Sequence, residues 1–272
     1  MGKLAVRMVD KPWGKDVLPA PFVAPAGQRI GEVWFVPPPE VPSLLVKYIF
    51  TSQALSVQVH PSDAQAEASG ETARTGWGGK EECWLVIDAE PGATLGVGFA
   101  GHLDETAMRA AALDGSIEDL LVWHPVQAGD FFYIPAGTVH AIGAGVSLIE
   151  IQQNSDITYR LYDYGRPREL HLDAGLKVAR GEPLSPGLQR TIPAKGTMEL
   201  ARGRYFTATQ VEGAPDAALS AAYDSSLLVI PRRGTVLLAD GTALNPGDCA
   251  SAPNLASLTL PADGQAILVK PA

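Results

Sequence analysis

The chain has 272 residues, 46% apolar and 19% charged, which is enough for one large or two modest folded domains and too apolar for a disordered chain. A formal net charge of −9 excludes a broad basic surface for nucleic acid, and no run approaches the roughly 20 apolar residues that span a bilayer. Two distant cysteines, Cys83 and Cys249, make no disulfide framework; with an N-terminus that lacks an apolar signal core, they point to a reducing, cytoplasmic setting.

The 28 glycines and 22 prolines are scattered, as in a β-rich fold with many turns. Ser43–Thr51 (SLLVKYIFT) is β-branched and aromatic, and predicts a strand. In Leu55–His60 (LSVQVH), Leu55, Val57 and Val59 alternate with Ser56, Gln58 and His60, so a second strand sends three polar side chains to one face. Ser62–Gly79, rich in Ala, Gly, Ser and Thr, reads as a long loop of the kind that often carries function. Cys83–Ile87 is a buried strand. Asp104 caps a short helix to about Leu113, with Leu103, Ala107, Met108 and Ala111 at helical spacing; Asp114-Gly115 ends it, and Ser116 opens a further turn. This helical segment near residues 104–121 reads as packing. Phe131–Ile134 follows a Gly129-Asp130 turn, and Val146–Gln152 closes the series. Pro183–Met198, with three prolines and two glycines, reads as a linker. Strands then resume at Tyr205–Val211, Ser226–Ile230, Thr235–Ala239 and Ala266–Lys270.

A weak internal repeat relates the halves. Gly129-Asp130, four residues and Pro135 are matched by Gly247-Asp248, four residues and Pro253, and ECWLVI from Glu82 aligns with SSLLVI from Ser225. On this alignment Ser225 replaces Glu82 and Leu258 replaces His140. Gly129-x5-Pro135-x-Gly137-x2-His140 resembles the second cupin motif, with Ala144 where that motif ends in Asn. The expected fold is therefore mainly β: two cupin-like antiparallel barrels (jelly rolls) with a short helical insertion. Residues 1–182 form a catalytic metal-binding domain, 183–198 a linker and 199–272 a degenerate second domain.

A lone histidine on a strand is most often structural, and His102, His124 and His171 read that way. His60, Glu82 and His140 differ, because the motif spacing sets two imidazoles and a carboxylate on separate strands, with Gln58 as a fourth oxygen donor. That set suits Zn²⁺ with open positions for water or substrate, and Fe²⁺, Mn²⁺ or Co²⁺ would fit the same donors.

The segments SVQVHP (Ser56–Pro61), GKEECW (Gly79–Trp84), PAGTVHAIGAG (Pro135–Gly145) and EIQQNSDITYRLYDYGR (Glu150–Arg166) resemble the signature segments of the type I phosphomannose isomerases. KPWG (Lys11–Gly14) and IGEVW (Ile30–Trp34) resemble that family's N-terminal segments. The resemblance covers about residues 10–180 and is to the short bacterial form, without the long helical insertion. It implies interconversion of mannose 6-phosphate and fructose 6-phosphate, with one zinc per chain on Gln58, His60, Glu82 and His140. It also implies a catalytic Arg160, Lys80 beside the metal glutamate, and Ser56 and Arg166 at the substrate phosphate. Glu81 stands where a small polar residue is usual; alternation turns it to the face opposite Glu82. Proton transfer through a cis-enediol needs an acid/base group, for which Lys80 and Glu150 are the candidates. The implied partner is a small sugar phosphate, with no nucleic acid or membrane, and the chain is expected as a monomer or homodimer. Two other readings share the barrel: another cupin enzyme (a different sugar-phosphate isomerase or an iron oxygenase), and a non-catalytic sugar-phosphate binding protein.

Overall fold

A strand buried on both faces loses its apolar–polar alternation, and Leu44–Phe50 is buried at every position. The computed structural model, which describes residues Met1–Ala272, shows why. Leu44–Phe50 lies in an antiparallel seven-stranded sheet with the order Gln189–Thr191, Asp130–Ile134, Glu82–Ala89, Val146–Gln153, Leu44–Phe50, Ile30–Phe35 and Val6–Lys15. One face, with Trp84, Val86, Phe132 and Leu148, packs on Leu95, Val97 and Ile142 of a five-stranded sheet. The opposite face, with Cys83, Leu85, Phe131 and Ile149, packs on Phe206, Leu228, Ile267 and Val269 of a six-stranded sheet from the C-terminal third.

Two further cores lie outside these layers. Short helices, Glu105–Asp114 and Leu172–Val178 among them, cover the outer face of the five-stranded sheet through Met108, Ala111, Leu176 and Val178. On the other side, Leu227, Val229 and Leu268 of the six-stranded sheet meet Val236, Leu244 and Leu258 of a three-stranded one. Each fully buried Leu or Phe side chain contributes about 1.5–3 kcal/mol.

The repeat read from sequence reappears in the strand order, but shifted by two residues at Glu82: Leu227, not Ser225, pairs with Ala252 as Glu82 pairs with Ile134. Asp130–Ile134, Glu82–Ala89, Val146–Gln153, Leu44–Phe50 and Ile30–Phe35 are neighbours in one sheet. Ala250–Ala252, Leu227–Arg233, Gln265–Pro271, Phe206–Glu212 and Met198–Arg202 are neighbours, in the same sequence of roles, in the other. Within residues 183–198, Gln189–Thr191 pairs with Asp130–Ile134, and the terminal Gly2–Lys3 pairs with Ala250 and Ser251. Chain segments therefore cross between the two halves at both ends.

The expected loop at 62–79 is instead largely helical, with helices at Asp63–Ala68 and Glu71–Thr75. Ser62 caps the first with a reciprocal box to Gln65, and Asp-Ala-Gln-Ala-Glu-Ala has high helix propensity; its length hid its periodicity. The helix expected after Asp104 runs Glu105–Asp114, capped as read, with Gly115 left-handed at its end.

Candidate metal centre and cleft

Three local features bring the polar side chains together. Gln58 pairs with His140 on one side and Arg160 on the other, across three adjacent strands of the five-stranded sheet. Gly137 has φ 85°, and its amide donates to the His60 carbonyl at 2.8 Å, so the reversal that delivers His140 is tied to the strand that carries His60. Glu82 comes from the facing sheet. Its approach is fixed by the Lys80 amide, which donates to the Pro61 carbonyl at 2.9 Å, and by Gly79, where a Cβ would sit 2.7 Å from that same carbonyl oxygen.

Hydrogen bonds settle the imidazole tautomers. Nδ1 of His60 lies 2.9 Å from the Ile157 carbonyl, and Nδ1 of His140 lies 2.9 Å from the Thr138 carbonyl. A carbonyl brings no proton, so both Nδ1 atoms donate and both Nε2 atoms carry lone pairs. Those lone pairs face Glu82, with His140 Nε2 3.6 Å from Oε1 and His60 Nε2 3.8 Å from Oε2. Oε1 of Glu82 is buried with no hydrogen-bond partner, and the three donor groups lie within 4.8 Å of one another. Two ring nitrogens and a carboxylate converge, with Oε1 of Glu82 left unpartnered, and this is a donor set that suits a divalent cation. Gln58 stands beside them, its amide 3.3 Å from His140 Nε2 and its Oε1 accepting from Ser56 at 3.2 Å. Glu81 points away and accepts from the Tyr133 hydroxyl.

Buried cations frame the group. Lys80 donates to Glu82 Oε2 and lies 3.2 Å from His60 Nε2 and 3.6 Å from Glu150 Oε1. Glu150 also faces Lys47 at 3.3 Å and accepts from the Trp84 indole at 3.1 Å, while Lys47 sits 4.3 Å over the Trp34 ring. These residues form one lateral row across the seven-stranded sheet, Trp34–Lys47–Glu150–Trp84. Burial lowers both imidazoles, His140 to about 4, and Lys80 adds to the drop at His60; both are neutral at pH 7. Burial, then the neighbouring Glu150, raises Glu82 to about 7. Burial also opposes the charges on Glu150 and Lys80. There the mutual attraction wins, with Lys80 and Lys47 holding Glu150 down at about 2, and Glu150 and Glu82 holding Lys80 protonated.

A cleft of about 220 Å³ opens beside the group. Five cations line it (Lys11, Lys47, Lys80, Arg160, Arg168) against three carboxylates (Glu32, Glu150, Asp156), a local excess of two positive charges in a chain of net charge −9. Ser56, Gln58, Lys80, Glu150 and Arg160, expected from sequence, all line it. Arg166 does not. Its guanidinium donates to the Ala54 carbonyl at 2.7 Å and pairs with Asp163 at 2.9 Å. Arg168, held bidentately by Asp163 at 2.5 and 2.6 Å, reaches the cleft instead. Lys47 and Arg168 were not read from sequence. A single charge inside the apolar run SLLVKYIFT was the available signal for Lys47.

Comparison with known proteins places these features. The chain is 44% identical over 142 residues, 50% of its length, to the mannose-6-phosphate isomerase of Streptococcus mutans. It is 44% identical over 145 residues to the mannose-6-phosphate isomerase of Bacillus subtilis. Each match covers 43% of the relative, so the chain spans about half the length of the curated relatives it matches. No protein-family model matches it. Among solved structures, the mannose 6-phosphate isomerase of Bacillus subtilis superposes with a TM-score of 0.80 at 26% identity over 99% of both chains. A zinc-bound mannose 6-phosphate isomerase does so at 0.72 and 15% identity, a likeness of fold alone. By sequence over half its length and by fold over nearly all of it, the chain resembles the mannose-6-phosphate isomerases.

Proposed function

We propose that the chain is a metal-dependent aldose–ketose isomerase that interconverts mannose 6-phosphate and fructose 6-phosphate through a cis-enediol, with one Zn²⁺ as its resident ion. The observation that carries this reading is the convergence of two imidazole lone pairs and an unpartnered buried carboxylate oxygen beside a cationic cleft. His60, Glu82 and His140 would hold the ion, with Gln58 at hand as a fourth donor. When bound, it supplies Lewis acidity toward a substrate oxygen.

The chain's own groups carry the rest. Lys80, kept protonated by two carboxylates, starts as a proton donor, and Glu150, kept ionised, as the acceptor 3.6 Å away. Arg160 faces the same space and, charged at neutral pH, opposes the negative charge that grows on the enediolate oxygens. Arg168 and Ser56 line the cleft where the sugar phosphate would lie, and Arg168 replaces Arg166 as the phosphate candidate. The free, buried thiols of Cys83 and Cys249 suit a reducing compartment such as the cytoplasm. No helix is long and apolar enough to cross a membrane.

The test is turnover of mannose 6-phosphate, coupled to a fructose 6-phosphate readout, before and after chelation. Activity should vanish with the metal and return on adding Zn²⁺. Full activity in metal-free protein would refute the reading. Zinc binding without turnover would favour a binding protein instead.

A further inference from the structure

A second polar feature lies away from this cleft, on the seam between the seven- and six-stranded sheets. Arg232 sits at an irregularity of the Leu227–Arg233 strand, where pairing with Gln265–Pro271 shifts register. Its guanidinium forms no ion pair, and its Nη1 is fully buried without a hydrogen-bond partner. Burial lowers its pKa, and the one group acting against that is the Tyr48 hydroxyl. The fully buried cations are matched, Lys47 by Glu150 and Lys80 by Glu82 and Glu150, whereas the half-buried Arg232 has no carboxylate partner. A guanidinium with no carboxylate beside it gains a charge-assisted bidentate contact when an anion reaches it.

The space before it is a pocket of about 290 Å³, lined by Tyr48, Phe22, Phe50, Pro21, Pro231 and Pro246 among others. Phe22 packs on Tyr48 with ring centroids 4.8 Å apart and on Phe50 at 5.3 Å, a preformed aromatic wall. The pocket's one carboxylate, Asp88, is exposed and makes no ion pair with Arg232. Most of the lining is apolar or aromatic, and its polar members are Arg232, Tyr48 and Asp88.

We propose that this seam pocket binds a small organic anion, an aromatic carboxylate in chemical class, with its carboxylate on the Arg232 guanidinium and the Tyr48 hydroxyl and its flat body against Phe22, Phe50 and the prolines. A carboxylate matches the planar fork of a guanidinium, and an aryl ring suits an aromatic and proline wall better than a hydrated inorganic ion does. The site contains none of the residues assigned to isomerisation. It draws on both halves of the chain, so its occupant bridges them.

The test is calorimetric titration of the zinc-loaded full chain with benzoate and, in a separate arm, with inorganic phosphate. One benzoate per chain is expected. Arg232→Met should weaken it more than about tenfold, the loss of a charge-assisted bidentate contact, with turnover of mannose 6-phosphate unchanged. In the unsubstituted protein, the Arg232 Nε–H resonance should shift on benzoate addition, a readout that needs no variant to fold. Equal benzoate binding by wild type and Arg232→Met, or no benzoate binding by wild type, would overturn the proposal. Phosphate binding at Arg232 without benzoate binding would also overturn it, because the apolar wall would then play no part.

Discussion

Glu150→Gln removes one charge from the Lys47–Glu150–Lys80 row while keeping the volume and leaving an amide oxygen for the Trp84 indole. Lys47 and Lys80 are 3% and 4% exposed, so water cannot replace the missing carboxylate. Lys80 keeps Glu82, but Lys47 keeps only the Trp34 ring at 4.3 Å, worth about 1–2 kcal/mol. Breaking a buried pair by removing one partner costs about 3–5 kcal/mol, and the lower end applies here because each ammonium retains some compensation. A loss of about 3 kcal/mol corresponds to a Tm about 6–12 °C lower for a chain of this size. Urea denaturation of the metal-free protein measures it directly. Lys47→Met combined with Glu150→Gln removes the unpaired ammonium and should recover at least about 1 kcal/mol of that loss. A single-variant loss under about 1 kcal/mol, or a double variant that is merely additive, would refute the reasoning.

Zinc affinity should fall about tenfold per pH unit below about pH 7. There the raised Glu82 holds a proton that the ion must displace, whereas His140 (about 4) contributes none until pH nears 4, and burial holds His60 well below its ordinary value. Competition titrations across pH check this, and a flat profile would place the raised pKa elsewhere. Gly79→Ala would drive a Cβ into the Pro61 carbonyl and displace Lys80 and Glu82 together, weakening zinc binding by about 10–100-fold in equilibrium dialysis. Arg168→Ala should raise KM for mannose 6-phosphate about 30-fold with kcat less affected, while Arg166→Ala should leave KM nearly unchanged and lower stability by about 1 kcal/mol. The reverse pattern in steady-state kinetics would return the phosphate to Arg166.

The parts of the site that were legible in sequence are those set by local geometry. The alternation Val57-Gln58-Val59-His60 fixes which side chains share a face, and Gly137 three residues before His140 marks a reversal. Neither needs knowledge of what lies opposite. Arg166 and Arg168, two residues apart in YGRPREL, could not be told apart, because the choice depends on Asp163 and on the Ala54 carbonyl, 112 residues away in sequence. Lys47 was hidden for a related reason. A strand covered on both faces has no polar rhythm against which a functional charge stands out, and its partner Glu150 is a cross-strand neighbour set only by register. The helix at Asp63–Ala68 was the opposite case, since the Ser62–Gln65 box was present in the sequence but was outweighed by a small-residue composition suggesting a loop.

The sheet that carries Glu82 and Lys47 has a second apolar side, and residues from the C-terminal third, Phe206, Leu228, Ile267 and Val269, are what keep that side dry. The half without a His–Glu–His group thereby supports the half that has one. Cutting it away would wet the back of the very strands whose fronts hold the donors.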